Sequence, residues 1–275
     1  MTEVPHLVCT FDAYSAEDER RRESLLLLGN GVLSVRGATT SATGGESHYP
    51  GTYHGGTYNR LGDTIEGEAV ENESLVNLPN WLPLEFRTDR AEGWCGIESA
   101  EILDYRHSLD AAEAITLREA TLRSAGVRFR LCERRLVSMC QPNVAALQVE
   151  LTPLDWSGRI EIRSLIDGAV ENAGVARHRH YDGRHLLIRR LEEAGPGILL
   201  VGAETNQSHV RIAVAARTRV SGVTVEETAV RRSDAAIAQH AFCRAEAGRS
   251  ILIEKAAVIL TSRDPAISEP DEAAC

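Results

Sequence analysis

Period-two alternation is the feature that most limits what this chain can fold into. Val127-Arg128-Phe129-Arg130-Leu131 alternates apolar and polar side chains, and so do Ala146-Leu147-Gln148-Val149-Glu150-Leu151 and, in large part, Arg159-Ile160-Glu161-Ile162-Arg163. Successive side chains of a strand point to opposite faces, so each run predicts a strand with one face buried and the other in water. His209-Val210-Arg211-Ile212-Ala213-Val214 and Ile251-Leu252-Ile253-Glu254 continue the pattern, and Asp155-Trp156-Ser157-Gly158 reads as a turn. In Tyr181-Asp182-Gly183-Arg184 the Asp-Gly pair suits the positive φ angles of a two-residue hairpin turn. Helix signals are few. Ser15 to Leu28 reads either as a helix capped by Ser15, with Asp18 three places on, or as a solvated loop carrying the charged run Glu17 to Glu23. About fourteen or more short strands without βαβ alternation predict an all-β fold, a large antiparallel β-sandwich with few short helices. Ser268 to Cys275 reads as a linker or frayed tail.

Composition removes several function classes. At 275 residues, 43% hydrophobic and 25% charged, the chain can bury a sizeable core, and no apolar run approaches the roughly 20 residues of a spanning helix. The N-terminus lacks the basic start and apolar stretch of a secretory signal, which predicts a cytoplasmic protein. A net charge of -10 argues against nucleic acid and anionic membrane as partners. Lys255 is the one lysine among the cations; this reads as codon bias rather than design. Cys9, Cys95, Cys132, Cys140, Cys243 and Cys275 form no C-x-x-C pair, so neither a zinc site nor a disulfide framework is predicted.

The first hundred residues carry a different texture, rich in Gly, Asn and Tyr. Within them Glu73 to Arg87, ESLVNLPNWLPLEFR, combines a Trp and several Leu with two prolines and two asparagines that interrupt any ladder or helix. Such a segment reads as a docking or cleft-bordering loop, with Trp81 and the leucines exposed until another surface covers them and the asparagines bonding at its edge.

No catalytic constellation emerges from the residues alone. G-x-S-x-G is absent, and Gly29-Asn30-Gly31-Val32-Leu33 lacks the third glycine of a dinucleotide loop, so it reads as a tight turn between strands. His178, His180 and His185 would approach one another across a hairpin as metal ligands, but Arg177, Arg179 and Arg184 interleave them and no carboxylate is placed behind them; they read as solvated histidines. Asp63, Glu66, Glu68, Glu71 and Glu73 form the densest acidic cluster, beside Tyr58, Asn59, Arg60 and Trp81. A solvated acidic loop and a sugar-facing polar group are both open readings of it.

Several ordered blocks then resemble glycoside hydrolase family 65, which includes maltose, trehalose and kojibiose phosphorylases. They are Glu23 to Gly37 (ESLLLLGNGVLSVRG), Tyr49 to Arg60 (YPGTYHGGTYNR), Leu75 to Leu84 (LVNLPNWLPL), Leu103 to Asp110 (LDYRHSLD), Arg135 to Met139 (RLVSM) and Ser164 to Gly168 (SLIDG). The resemblance runs from Phe11 to Asp264 and covers only the family's N-terminal domain. It implies a galactose mutarotase-like sandwich over residues 1–264 and a tail or linker over 265–275, without the helical (α/α)6 barrel that carries the family's chemistry.

On that basis the expected role is that of a domain inactive alone, which supports a helical barrel in cis or in trans, borders its sugar cleft and helps form a homodimer. Tyr58, Asn59, Arg60, Asp63, Asn77, Asn80 and Trp81 are the expected cleft or docking residues. No cofactor or metal is expected; inorganic phosphate would be a co-substrate of the full enzyme, and an α-glucosyl disaccharide would meet this chain at most weakly. Where family members carry Arg after the Leu-Asp step, this chain has Ala111-Ala112-Glu113-Ala114, so one bracing side chain is missing and no catalytic role carries over. A stand-alone carbohydrate-binding module and a mutarotase-like epimerase, for which His54, His178 and His180 are available, are the alternatives.

Overall fold

The computed structural model describes residues 7–65, 68–173, 183–265, 267 and 269–275, with backbone alone at 63–65 and 68–69. Strands and helices are numbered along the chain. The largest sheet has nine antiparallel strands in the order β1 (Val8–Phe11), β8 (Glu101–Asp110), β9 (Ile115–Ser124), β10 (Val127–Val137), β11 (Val144–Pro153), β18 (Ile251–Thr261), β15 (Arg211–Ser221), β14 (Ile198–Thr205) and β13 (Leu186–Gly195). A four-stranded sheet, β16 (Val225–Arg232), β17 (Ala236–Ala245), β12 (Gly158–Asp167) and β7 (Leu84–Thr88), packs against it. The remaining strands make a small sheet of β2 (Leu28–Gly29), β3 (Leu33–Val35) and β4 (Thr52–His54), and a two-stranded ribbon of β5 (Tyr58–Ile65) and β6 (Glu68–Leu75).

Alternation sets the two faces. Along β10, Val127, Phe129 and Leu131 turn inward while Arg128, Arg130 and Arg134 stay exposed, and β18 buries Ile251, Ile253, Ala257 and Ile259 in the same way. Phe129 meets Phe86 of β7 edge-on with ring centres 5.0 Å apart, which joins the two sheets at the core. The expected antiparallel sandwich is therefore the fold, with eighteen strands among the described residues. Asn30 makes the turn between β2 and β3: its Oδ1 accepts from the Val32 and Leu33 amides, and Gly31 takes φ +89°.

Three local expectations change. The helix choice resolves as α1 (Glu19–Leu25), started by Asp18 rather than Ser15, with Glu19 and Glu23 on its buried face. β15 begins at Arg211, because His209 turns the chain at φ 52°. The expected tail instead folds as α2 (Pro270–Ala273), and Ala274 packs on Leu200, Ala213, Ala215 and Leu260 of the large sheet's outer face. The hairpin at Tyr181–Arg184 and the histidines His178 and His180 lie wholly or largely outside the described residues. Among the described residues no helix is long and apolar enough to cross a membrane.

Candidate functional site

The segment expected to lie at the surface runs through the interior. Val76, Leu78 and Trp81 are 0% exposed and Leu82 is 1% exposed, so the expected exposed apolar patch is absent from this stretch. Long-range partners replace the ladder that its prolines forbid. Leu78 N donates to Thr52 O at 2.8 Å, Asn80 and Asp167 exchange two backbone bonds at 2.7 and 2.9 Å, and Leu84 N donates to Thr40 O at 3.0 Å. The asparagines complete the work: Asn77 Oδ1 accepts from Thr52 N, its Nδ2 donates to Pro50 O and Glu171 O, and Asn80 Oδ1 accepts from Leu82 N. With its backbone groups satisfied in this way, an irregular apolar stretch is stable in a core.

Lys255 holds the far end of the same segment. Its Nζ donates to Pro83 O at 3.1 Å and Leu165 O at 2.8 Å, and burial pushes its pKa down from 10.5 to about 7. The one lysine of the chain thus has a structural place.

The ribbon root is where expected site residues divide. Tyr58 is 48% exposed, and Arg60 is solvent-facing, paired with Glu73 at 3.1 Å and Glu71 at 3.3 Å across the ribbon. Asn59, between them, is buried: its Nδ2 reaches Asn206 Oδ1 at 2.7 Å and His185 Nδ1 at 3.0 Å, while its Oδ1 accepts from the Gln207 and Ser208 amides. His185 is consequently an interior group, against the expectation of a solvated one. Asp63 is in β5, in the stretch described by backbone alone. Tyr58 and Arg60 are therefore available to a partner, whereas Asn59, Asn77, Asn80 and Trp81 anchor the fold.

Two features escaped the sequence reading. One is a buried ionic network beneath α1. Glu133 accepts from Arg118 Nη1 at 2.5 Å and from Thr40 Oγ1 at 2.6 Å, and Arg118 Nη2 also donates to Gly37 O and to His107 Nδ1. Arg135 donates to the Arg36 and Ala38 carbonyls, so the network welds the small sheet's loops to β9 and β10. The other is a depression of about 490 Å3 on the outer face of the large sheet, where Leu136, Ala146 and Ala256 make an apolar floor between Arg134, Arg217 and Glu254. Leu136 there is 40% exposed.

Comparison with known proteins gives these features a setting. The family model for the glycosyl hydrolase family 65 N-terminal domain matches residues 9–275. An uncharacterized glycosyl hydrolase of Mycobacterium tuberculosis is 41% identical over 260 residues, covering 93% of this chain and 19% of that protein. A kojibiose phosphorylase of Caldanaerobacter subterraneus subsp. tengcongensis is 28% identical over 261 residues, covering 92% of this chain and 32% of that one. A trehalose 6-phosphate phosphorylase of Lactococcus lactis is 28% identical over 208 residues, covering 74% and 25%. Among solved structures, a human-microbiome protein assigned as a kojibiose phosphorylase superposes with a TM-score of 0.78 at 16% identity, covering 94% of this chain and 32% of that one. The chain thus spans between about a fifth and a third of the length of these relatives.

Proposed function

The chain belongs to the glycosyl hydrolase family 65 N-terminal domain family, and from that premise we propose that it is the noncatalytic sandwich of a phosphorylase-type assembly acting on α-glucosyl disaccharides such as kojibiose, trehalose or maltose. The observation that carries this reading is coverage: 92% of this chain aligns with 32% of the kojibiose phosphorylase, and 74% of it with 25% of the trehalose 6-phosphate phosphorylase. Its work is to seat a helical catalytic domain, border that domain's sugar cleft through Tyr58 and Arg60 at the ribbon root, and help form a dimer. The apolar floor of Leu136, Ala146 and Ala256, flanked by arginines, suits such docking, since desolvated interface centres are apolar and arginine is enriched in them. In the full assembly inorganic phosphate is a co-substrate, and this domain needs no cofactor.

The epimerase alternative calls for an acid and a base that both face one sugar ring. His54 is buried and its Nε2 meets Asp264 Oδ1 at 3.2 Å and Asn143 Oδ1 at 3.1 Å, which commits it to the fold. The test is direct. The purified chain, given kojibiose, maltose or trehalose with phosphate, is expected to release no glucose 1-phosphate, and phosphate-dependent release would overturn the reading.

A further inference from the structure

The solvent face of the four-stranded sheet carries a separate depression of about 250 Å3. Cross-strand register fixes its floor, because Arg87 of β7, Glu161 of β12 and Phe242 of β17 stand directly opposite one another in one row. Arg159 lies two residues before Glu161 on the same face, and Thr88 at the end of β7 and Asp89 in the turn after it stand at the rim.

The row is rigid before any ligand arrives. Glu161 is 7% exposed; one carboxylate oxygen accepts from Arg87 Nε at 2.6 Å and the other meets His240 Nδ1 at 2.7 Å. The Arg87 guanidinium lies 4.6 Å from the ring centre of Trp94, and the Arg159 guanidinium lies 4.7 Å from that of Phe242. Among the described residues Arg159 has long contacts, 3.6 Å to Glu226 and 3.4 Å to Glu227, and Arg87 shares only its Nε with a carboxylate. Both planar groups therefore keep N–H donors to spare while stacking holds them in place.

Charge and size select the ligand class. Two guanidiniums face two carboxylates, Glu161 and Asp89, so the lining is balanced and an added phosphate or carboxylate would meet like charge as well as opposite. A neutral ligand with several hydroxyls can use donors and acceptors together. The volume falls below the roughly 300–1,000 Å3 of sites for drug-sized ligands, which leaves room for one small ring. We propose that this depression binds a single neutral pyranose unit, with hydroxyls on Arg87, Arg159 and Asp89 and an apolar C–H edge on Phe242. The site is distinct from the docking role above and does not rest on it.

Calorimetric titration of the purified chain with glucose, kojibiose and inorganic phosphate tests it. Glucose or kojibiose is expected to bind saturably, Arg159→Ala and Phe242→Ala each to weaken that binding about tenfold, as loss of a charged hydrogen bond or an aromatic contact does, and Arg128→Ala on the other sheet to leave it unchanged. The Arg159 side chain is 50% exposed, so its removal spares the core, and an unchanged unfolding midpoint verifies this. No saturable sugar binding at 100-millimolar order, sugar binding indifferent to both variants, or phosphate binding in place of sugar would each overturn the proposal.

Discussion

Lys255 Nζ donates to the carbonyl oxygen of Pro83 at 3.1 Å, across the interior from the large sheet to the end of the NLPNWLP segment. A second bond to Leu165 O ties the same amine to the four-stranded sheet, so one side chain joins three parts of the core with no carboxylate partner among the described residues. That arrangement costs stability whenever the amine is charged.

The cost has a pH signature. Burial lowers the folded-state pKa from 10.5 to about 7. Between those values the unfolded chain binds more protons than the folded one, so stability rises with pH across that window and the full penalty stands below it. Lys255→Met is expected to remove this rise. Urea midpoints of both proteins at pH 7, 8.5 and 10 check it, and no other lysine confounds the difference. Parallel profiles would refute the assignment.

Trp81 distinguishes a core element from a docking loop. It is fully buried, and among the described residues its indole Nε1 has no hydrogen-bond partner. Trp81→Ala is expected to destabilise the isolated chain by about 3–5 kcal/mol through the cavity it leaves. Trp81→Phe, which loses no hydrogen bond, is expected to cost less than about half of that. Denaturation followed by circular dichroism gives both values; a change within about 0.5 kcal/mol for the alanine variant, the range of surface substitutions, would return Trp81 to the surface.

What the sequence discloses depends on how local the physics is. β10, β11, β12 and β18 are legible because burying one face imposes period two on neighbouring residues. The Leu75–Leu84 stretch misleads because its prolines and asparagines speak of solvent, while the groups that satisfy it, Thr52, Asp167, Asn172 and Lys255, lie elsewhere in the chain. Asn59 is hidden for the same reason: its amide bonds to residues 126 to 149 positions away. Tyr58 and Arg60 stay at the surface where a polar, aromatic stretch suggests. The Arg87–Glu161–Phe242 row is invisible without strand register, since it joins three strands of ordinary composition.

Glu133 and Arg118 are both almost wholly buried, at 3% and 1% exposure, and each is the other's main compensation. Glu133→Leu is expected to cost about 3–5 kcal/mol, because it removes the carboxylate bonded to the Arg118 cation and leaves that cation in the core. Adding Arg118→Met is expected to recover part of that loss, giving a coupling of about 0.5–3 kcal/mol in a double-mutant cycle. Additive costs measured by urea denaturation would contradict a shared network.

His107 makes the same network sensitive to acid. Its Nδ1 faces the Arg118 guanidinium at 3.2 Å, and burial, reinforced by the nearby arginine charges, holds its pKa well below 6.5. The imidazole therefore stays neutral in the folded chain while the unfolded chain protonates it as pH falls past 6.5, so its contribution is present above that value and is lost below it. His107→Asn keeps an acceptor for Arg118 but has no proton to gain. Relative to this variant, the wild-type chain is expected to lose up to about 1.4 kcal/mol more per pH unit below 6.5. Urea midpoints of the two proteins between pH 7 and 5 decide it, and equal slopes would mean that another group drives acid unfolding.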